Sequence, residues 1–109
     1  MNRYGLEGMA RDVAAGKSVL LVSVLRRSAV AIFRELAGFA DWQRVRFTNG
    51  REHLTHWSGG RLDVVAAGHA LRGRSPDVLI IEGADALSVA QEDELRPLLA
   101  TGAEVVMFR

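Results

Sequence analysis

The sequence predicts an α/β domain in which a mostly parallel sheet is flanked by helices. Residues 18–24 and 77–81 form two short runs of almost wholly apolar residues, a pattern typical of strands that are buried on both faces. Segments with helical periodicity precede and follow these runs, as in parallel sheets built from βαβ units. Between the runs, residues alternate in polarity on both sides of Asn49-Gly50, which indicates an inserted antiparallel hairpin.

The expected elements cover most of the chain. Gly16 and Gly102 are expected to end the first and last helices, and Ser88 with Gln91 has the spacing of a capping box. In chain order we expect a helix over 4–15, a strand over 18–24, a helix over 28–38, hairpin strands within 44–48 and 53–57, strands over 62–66 and 77–81, a helix over 88–100 and a strand over 104–108.

Length and composition indicate one globular domain over residues 1–109. Hydrophobic residues make up 49% of the chain and charged residues 25%, which is ordinary for a globular protein. Because there is no cysteine, disulfides and thiolate metal sites are excluded. No apolar run has the length of a membrane span, and the N-terminus has no signal-peptide pattern. We therefore expect a cytoplasmic protein without membrane contact.

Charge is unevenly distributed, although the net charge is only +1. Residues 26–51 contain six arginines and two acidic residues, whereas seven acidic residues and two arginines follow residue 75. This distribution indicates two solvated faces of opposite charge, or surfaces that orient the protein on a partner or on a second copy. The single lysine beside thirteen arginines is typical of a GC-rich genome. The arginines of the basic segment are Arg26, Arg27, Arg34, Arg44, Arg46 and Arg51.

The triplet Gly16-Lys17-Ser18 looks like the end of a phosphate-binding loop, but its context is wrong. Such a loop has another glycine five positions before Gly16, where this sequence has Arg11. It also follows a strand and opens a helix, whereas here a helix is expected first and a strand second. We therefore expect Lys17 to lie in a helix-to-strand turn with its ammonium group in water.

A longer stretch carries a resemblance to a known family. Residues 71–88 read LRGRSPDVLIIEGADALS and resemble the Walker B region of RecA-like NTPases, especially phage large terminases and related helicases. Residues 18–36, SVLLVSVLRRSAVAIFREL, are similar to the strand and helix that follow the P-loop unit in those enzymes. The hairpin and the final ELRPLLATGAEVVMF also follow the order of the family. The resemblance covers about residues 5–108 and implies a reduced RecA-like core.

The departures from the family pattern concern catalysis. The Walker B aspartate, which helps to hold Mg²⁺ in the family, corresponds to Glu82, and the catalytic glutamate corresponds to Gly83. The strand and loop that hold the phosphates would precede about residue 5 of this chain. The resemblance therefore implies a small phage-encoded RecA-like protein without Walker A, with a degenerate Walker B at Glu82, Gly83 and Asp85. We expect no enzyme activity, no cofactor and no metal.

Four arginines are candidates for binding an anion or a partner. Arg72 and Arg74 flank a glycine in a loop at the side of the sheet where α/β proteins bind ligands. Arg26 and Arg27 begin the basic segment and are expected to contribute in the same way. Glu82 has an alternative interpretation, as a carboxylate that is solvated or paired with Arg72 or Arg74.

Other side chains give weaker indications. Asp85 precedes the last expected helix, whose dipole favours an acid there without any ligand. His53 and His56 are three apart on an expected strand and therefore point to opposite faces, which makes them a poor metal-binding pair. Trp42 and Trp57 border the basic segment, so they are expected either to pack on the core or to stack on nucleic-acid bases.

The sequence favours a binding function. A RecA-like core without its phosphate loop would leave an apolar strand edge unpaired, and such an edge recruits another chain. We expect the protein to bind a host protein and to inhibit host growth, and homo-oligomers are a further expectation. One alternative is a nucleic-acid-binding module that uses the arginines of residues 26–51. The other is a composite NTPase to which a second chain supplies the phosphate loop.

Overall fold

The computed structural model describes residues 3–39, 41–47, 52–66, 75–99 and 102–108. None of the helices in these ranges is long and apolar enough to cross a membrane. The helices are α1 (Arg3–Ala14), α2 (Arg26–Ala37) and α3 (Val89–Leu99), with a 3₁₀ turn at Ala84–Ala86 that the sequence did not predict. The strands are β1 (Ser18–Ser23), β2 (Arg44–Arg46), β3 (Glu52–Thr55), β4 (Arg61–Ala66), β5 (Val78–Glu82) and β6 (Glu104–Phe108).

The strands form one sheet in the order β2-β3-β4-β1-β5-β6. β1 pairs in parallel with β4 and β5, and β5 pairs in parallel with β6. β2 and β3 are antiparallel, and β3 joins the parallel part through antiparallel pairing with β4. The α/β class, the mostly parallel sheet and the hairpin are therefore confirmed, whereas the turn at Asn49-Gly50 lies outside the described residues.

Strand β1 lies inside the sheet and is buried on both faces. Val19 and Leu21 face α1 and α2, where they belong to the same apolar cluster as Phe33. Leu20 and Val22 face α3 and pack in a second cluster. The molecule therefore has three layers, with two helices on one side of the sheet and one helix on the other. Because helices cover both faces, β1 is continuously apolar instead of alternating.

The helix ends follow local sequence signals, with one difference. The Gln91 N–H donates to Ser88 Oγ at 3.2 Å, and the Ser88 N–H donates to Gln91 Oε1 at 2.9 Å, so the predicted capping box is confirmed. Helix α2 begins at Arg26 instead of the predicted Ser28, because the Leu25 carbonyl accepts the first helical hydrogen bond. The start of α2 therefore depends on the extended backbone of Leu25 and not on a serine cap.

The glycine-lysine-serine triplet lies between the end of α1 and the start of β1. The Lys17 side chain is 45% exposed, and its Nζ lies 3.6 Å from Asp12 Oδ1. A helix precedes this turn and a strand follows it, which is the reverse of the order in a phosphate-binding loop. The predicted position of Lys17 in a helix-to-strand turn is therefore confirmed.

Helix α1 packs closely against the turn that precedes β4. Ser58 Oγ donates to the Val13 carbonyl oxygen at 2.8 Å, which satisfies an acceptor in the last turn of the helix. A Cβ atom added to Gly60 would lie 1.8 Å from the same carbonyl oxygen. Glycine at position 60 is therefore required for this approach of helix and turn.

We predict that Gly60→Ala lowers the free energy of unfolding by about 3 kcal/mol, because α1 must move away from the turn. Gly8→Ala is the matched control, since no atom outside the adjacent residues and the nearby backbone of α1 lies within 4 Å of its added Cβ. This control should leave stability unchanged or raise it by up to about 1 kcal/mol, as expected for alanine in a helix interior. Urea unfolding followed by circular dichroism measures both, and similar stabilities for the two variants would contradict the close approach.

Candidate functional site

The carboxyl ends of the parallel strands meet at one edge of the sheet, where α/β proteins commonly bind ligands. Ser23 ends β1 and lies in register with Glu82, which ends β5. Because β3 runs in the opposite direction, its first residue, Glu52, lies at the same edge. Helix α2 starts there with Arg26. We call these four residues the carboxyl-edge site (Ser23, Arg26, Glu52 and Glu82).

Ser23 and Glu82 join the ends of β1 and β5. The Ser23 hydroxyl lies 2.7 Å from Glu82 Oε2 and 3.2 Å from the Leu25 carbonyl oxygen, and it can donate to either. Ser23 is fully buried, so these acceptors satisfy a hydroxyl that water does not reach. Glu82 is half-buried and bonded to a serine. Its predicted pairing with Arg72 or Arg74 concerns residues outside the described ranges and stays a prediction.

Gly83 has a conformational reason to be glycine. Its φ is +77°, in the left-handed region that side chains other than glycine rarely adopt. A Cβ atom added there would lie 3.3 Å from Val24 Cγ2, and the Gly83 N–H donates to the Phe108 carbonyl oxygen at 2.9 Å. The chain uses this turn to pass from β5 into the 3₁₀ turn. A glutamate at position 83 would therefore have to adopt this left-handed backbone conformation, which is strained for a residue with a side chain.

Arg26 and Glu52 form a two-pronged ion pair. Arg26 Nη1 donates to Glu52 Oε2 at 3.0 Å, and Nη2 donates to Oε1 at 2.5 Å. Glu52 is only 5% exposed, so its carboxylate is removed from water at the start of β3. The hydrogen bonds to Glu52 raise the pKa of Arg26 above its ordinary value. Arg26 therefore binds a carboxylate of its own chain, and contact with an external anion stays a prediction.

The remaining candidate residues lie around the same edge or outside the described residues. Arg27 is exposed in the first turn of α2, and Asp85 is exposed in the 3₁₀ turn after β5. Arg72 and Arg74 lie outside the described residues. The carboxyl-edge site thus brings together Arg26 and Glu82 from the predicted set at one edge of the sheet.

The basic segment is divided between the two sides of the sheet. Val45 is in register with Leu54 of β3, which is buried under α1 and α2, so Arg44 and Arg46 point to the opposite side. Arg27 and Arg34 lie on α2, which covers the first side. The sequence left open whether the arginines of β2 and the arginines of α2 lie on one face of the protein. The strand register places the two pairs on opposite sides of the sheet.

Ser23 and Glu52 are functional candidates that sequence reasoning missed. Ser23 lies 59 positions from Glu82, and Glu52 lies 26 positions from Arg26, so their contacts depend on strand order. Each did have a local signal, since Ser23 is the polar end of an apolar run and Glu52 starts an alternating one. Neither signal indicates which partner the side chain meets.

The described residues contain no group of three histidine, aspartate or glutamate side chains that are close enough to hold a metal ion. Both carboxylates of the carboxyl-edge site have partners, Glu52 in an ion pair and Glu82 in a hydrogen bond with a serine. The Glu82 carboxylate therefore links β5 to β1, and the Glu52 carboxylate links β3 to α2. Of these two carboxylates, Glu82 is the more exposed to solvent.

Comparisons with protein-family models, with curated proteins and with solved structures find no match to this chain. The fold and the contacts described above are therefore the basis for a functional proposal. The resemblance to RecA-like NTPases stays a hypothesis.

We predict that Arg26→Met lowers the free energy of unfolding by about 2 kcal/mol, because it leaves the Glu52 carboxylate buried without the two guanidinium N–H groups that donate to it. This is less than for a fully buried pair, since 35% of the Arg26 side chain is exposed. Arg27→Met is the control at the next position and should change stability by no more than about 0.5 kcal/mol.

A double-mutant cycle with Glu52→Gln isolates the ion pair from other contacts of the two side chains. The double variant should lose less stability than the sum of the two single variants. Urea unfolding supplies all four values, and strict additivity would show that the pair does not contribute as described.

Proposed function

We propose that this chain is a non-catalytic binding protein with a reduced RecA-like core, and that its partner is a protein of a bacterial host. The carboxyl-edge site supports this proposal because Arg26 and Glu52 hold each other and Glu82 is bonded to Ser23. Gly83, at the position that corresponds to the family's catalytic glutamate, lies in a turn that disfavours any side chain. In this proposal the polar groups of the edge stabilise the fold and do not act on a nucleotide.

The observation that carries the proposal is an exposed surface at the β2 edge of the sheet. Val45 is 37% exposed and Phe47 is 60% exposed, although the Phe47 ring also packs edge-on against Phe33 with centroids 4.8 Å apart. Arg44 and Arg46 are exposed on the other side of the same strand. Aromatic and arginine side chains are enriched in protein interfaces. We call residues 44–47 the β2 surface.

The β2 surface defines the chemistry of a fitting partner. Phe47 and Val45 offer apolar side chains on one side of the strand, and Arg44 and Arg46 offer positive charge on its other side. A partner with an apolar pocket bordered by acidic residues is complementary to both features. In the proposal, the phage-encoded chain occupies such a pocket on a host protein and inhibits host growth by blocking the surface, without turnover.

Nucleic-acid binding is the second candidate, because Arg44 and Arg46 are exposed. A phosphate-tracking groove needs its cations along one path. Arg27 and Arg34 lie on α2 at the opposite side of the sheet, and Arg26 is engaged by Glu52. The described arginines of the basic segment therefore favour a local protein contact over an extended nucleic-acid track. The composite NTPase has no specific observation in its favour.

We predict that Phe47→Ser abolishes growth inhibition when the chain is expressed in a GC-rich bacterium, because it removes the apolar centre of the β2 surface. Trp57→Ser is the matched control, since Trp57 is 69% exposed at the opposite end of the β2–β3 hairpin. Affinity capture from the same cells should recover a common host protein with the wild type and with Trp57→Ser, and not with Phe47→Ser.

Equal growth inhibition and equal capture by all three forms would contradict a role for the β2 surface. A titration with a single-stranded oligonucleotide separates the second candidate from the first. Tight binding that weakens steeply with salt and is lost in an Arg44→Gln/Arg46→Gln variant would favour nucleic acid as the partner.

A further inference from the structure

Strand β6 ends the sheet on the side opposite to β2, and its outer edge faces no described strand. The Glu104 N–H donates to the Asp77 carbonyl oxygen, and the Phe108 carbonyl oxygen accepts from Gly83, so both residues direct their backbone groups toward β5. Backbone direction alternates along a strand. The N–H and C=O groups of Val105 and Met107 therefore point outward from the sheet.

The side chains of this edge are apolar and exposed. Val105 is 38% exposed and Met107 is 58% exposed, and both lie on the side of the sheet that carries α3, since they are in register with Leu79 and Ile81. Exposed apolar edge strands are uncommon because they pair with other strands. The opposite edge is different, since β2 has only three residues and two of them are arginines.

We propose that β6 binds β6 of a second copy of this chain, in an antiparallel arrangement with a two-fold axis at Val106. This register places Val105 of each copy opposite Met107 of the other. Both residues direct their backbone groups outward, so each such pair exchanges two hydrogen bonds, and the two pairs give four in total. The two sheets join into one continuous sheet of twelve strands, six from each copy.

Side-chain chemistry supports this register over the alternatives. Val105 and Met107 of the two copies form one apolar cluster on the α3 side of the joined sheet. The two Glu104 carboxylates lie at opposite ends of the strand pair, each opposite a Phe108. A parallel pairing in register would instead place the two Glu104 side chains next to each other, which is unfavourable.

A second copy is also a better occupant than the other edge of the same protein. Pairing of β6 with β2 of a neighbour would use different surfaces on the two molecules and would extend into an open chain of copies. It would also offer only three residues to a five-residue strand. Pairing of β6 with β6 closes at two copies, as in the commonest oligomers.

The proposed dimer is independent of the β2 surface and of the host partner. Pairing of two five-residue strands falls at the low end of interface sizes, below about 1,200 Å². We therefore expect a weak dimer with a dissociation constant in the range of about 10 to 100 µM. Sedimentation velocity of the purified wild-type protein, from about 1 µM to about 1 mM, should show a monomer that converts to a dimer.

Two substitutions test whether β6 is the interface. Met107→Lys should raise the dissociation constant at least about tenfold, because it places two charges, one from each copy, in the shared apolar cluster. Val89→Lys is the control, since Val89 is 76% exposed at the start of α3 and lies outside β6. Thermal unfolding checks that both variants keep the wild-type fold, which is expected because both side chains are exposed.

A charge-rescue experiment tests the register itself. Val105→Lys and Met107→Glu should each be monomeric alone, whereas an equimolar mixture should form a dimer. In the mixed dimer the new ammonium group at position 105 of one copy faces the new carboxylate at position 107 of the other. Recovery of the dimer in the mixture supports the antiparallel pairing about Val106. The proposal is overturned if the wild type stays monomeric at about 1 mM, if Met107→Lys dimerises like the wild type, or if the mixture stays monomeric.

Discussion

The burial of β1 between β4 and β5, with helices on both faces, is the constraint on which the rest of the structure depends. Two apolar clusters, one toward α1 and α2 and one toward α3, meet at this strand. Each buried large aliphatic side chain contributes about 1.5 to 3 kcal/mol relative to its exposed state. Strand β1 therefore fixes the layers, and the layers fix which residues reach the carboxyl ends of the strands.

At those carboxyl ends, the same constraint determines what polar groups do. Ser23 is held inside the sheet, so its hydroxyl needs an acceptor, and Glu82 at the end of the neighbouring strand supplies one. Glu52 is buried at the start of β3, so its charge needs a cation, and Arg26 supplies it. The fold thus engages carboxylates that would otherwise be available for chemistry. The proposed function is based on these internal contacts of Glu82 and Glu52 and on the exposed outer strand β2.

Sequence patterns predict those parts of the fold that depend on neighbours in the chain. The apolar run at β1, the alternation around Asn49-Gly50 and the capping box of Ser88 each lie within a few residues, and the corresponding elements are present. Contacts across the sheet are different. The pairing of Ser23 with Glu82 depends on β1 and β5 being neighbours, and no local pattern indicates that order.

The same limit applies to the arginines and to Gly83. Arg44 and Arg46 alternate in a way that places them on one face, but only the register with β3 determines that this face is the one opposite α2. The family resemblance alone led us to interpret Gly83 as the loss of a catalytic residue, whereas its positive φ gives it a conformational role. Backbone conformation and strand order are properties of the folded chain, so they were not accessible from residue types alone.

Calorimetric titration of the purified protein with ATP and with ADP, each with and without Mg²⁺, tests the central claim that the carboxyl edge of this core does not bind nucleotide. We expect no saturable heat up to about 1 mM nucleotide, because the carboxyl-edge groups already bind one another. Binding with a dissociation constant in the micromolar range that requires Mg²⁺ and is lost in Glu82→Gln would contradict it. Such a result would show that the carboxyl edge opens to a ligand despite its internal contacts.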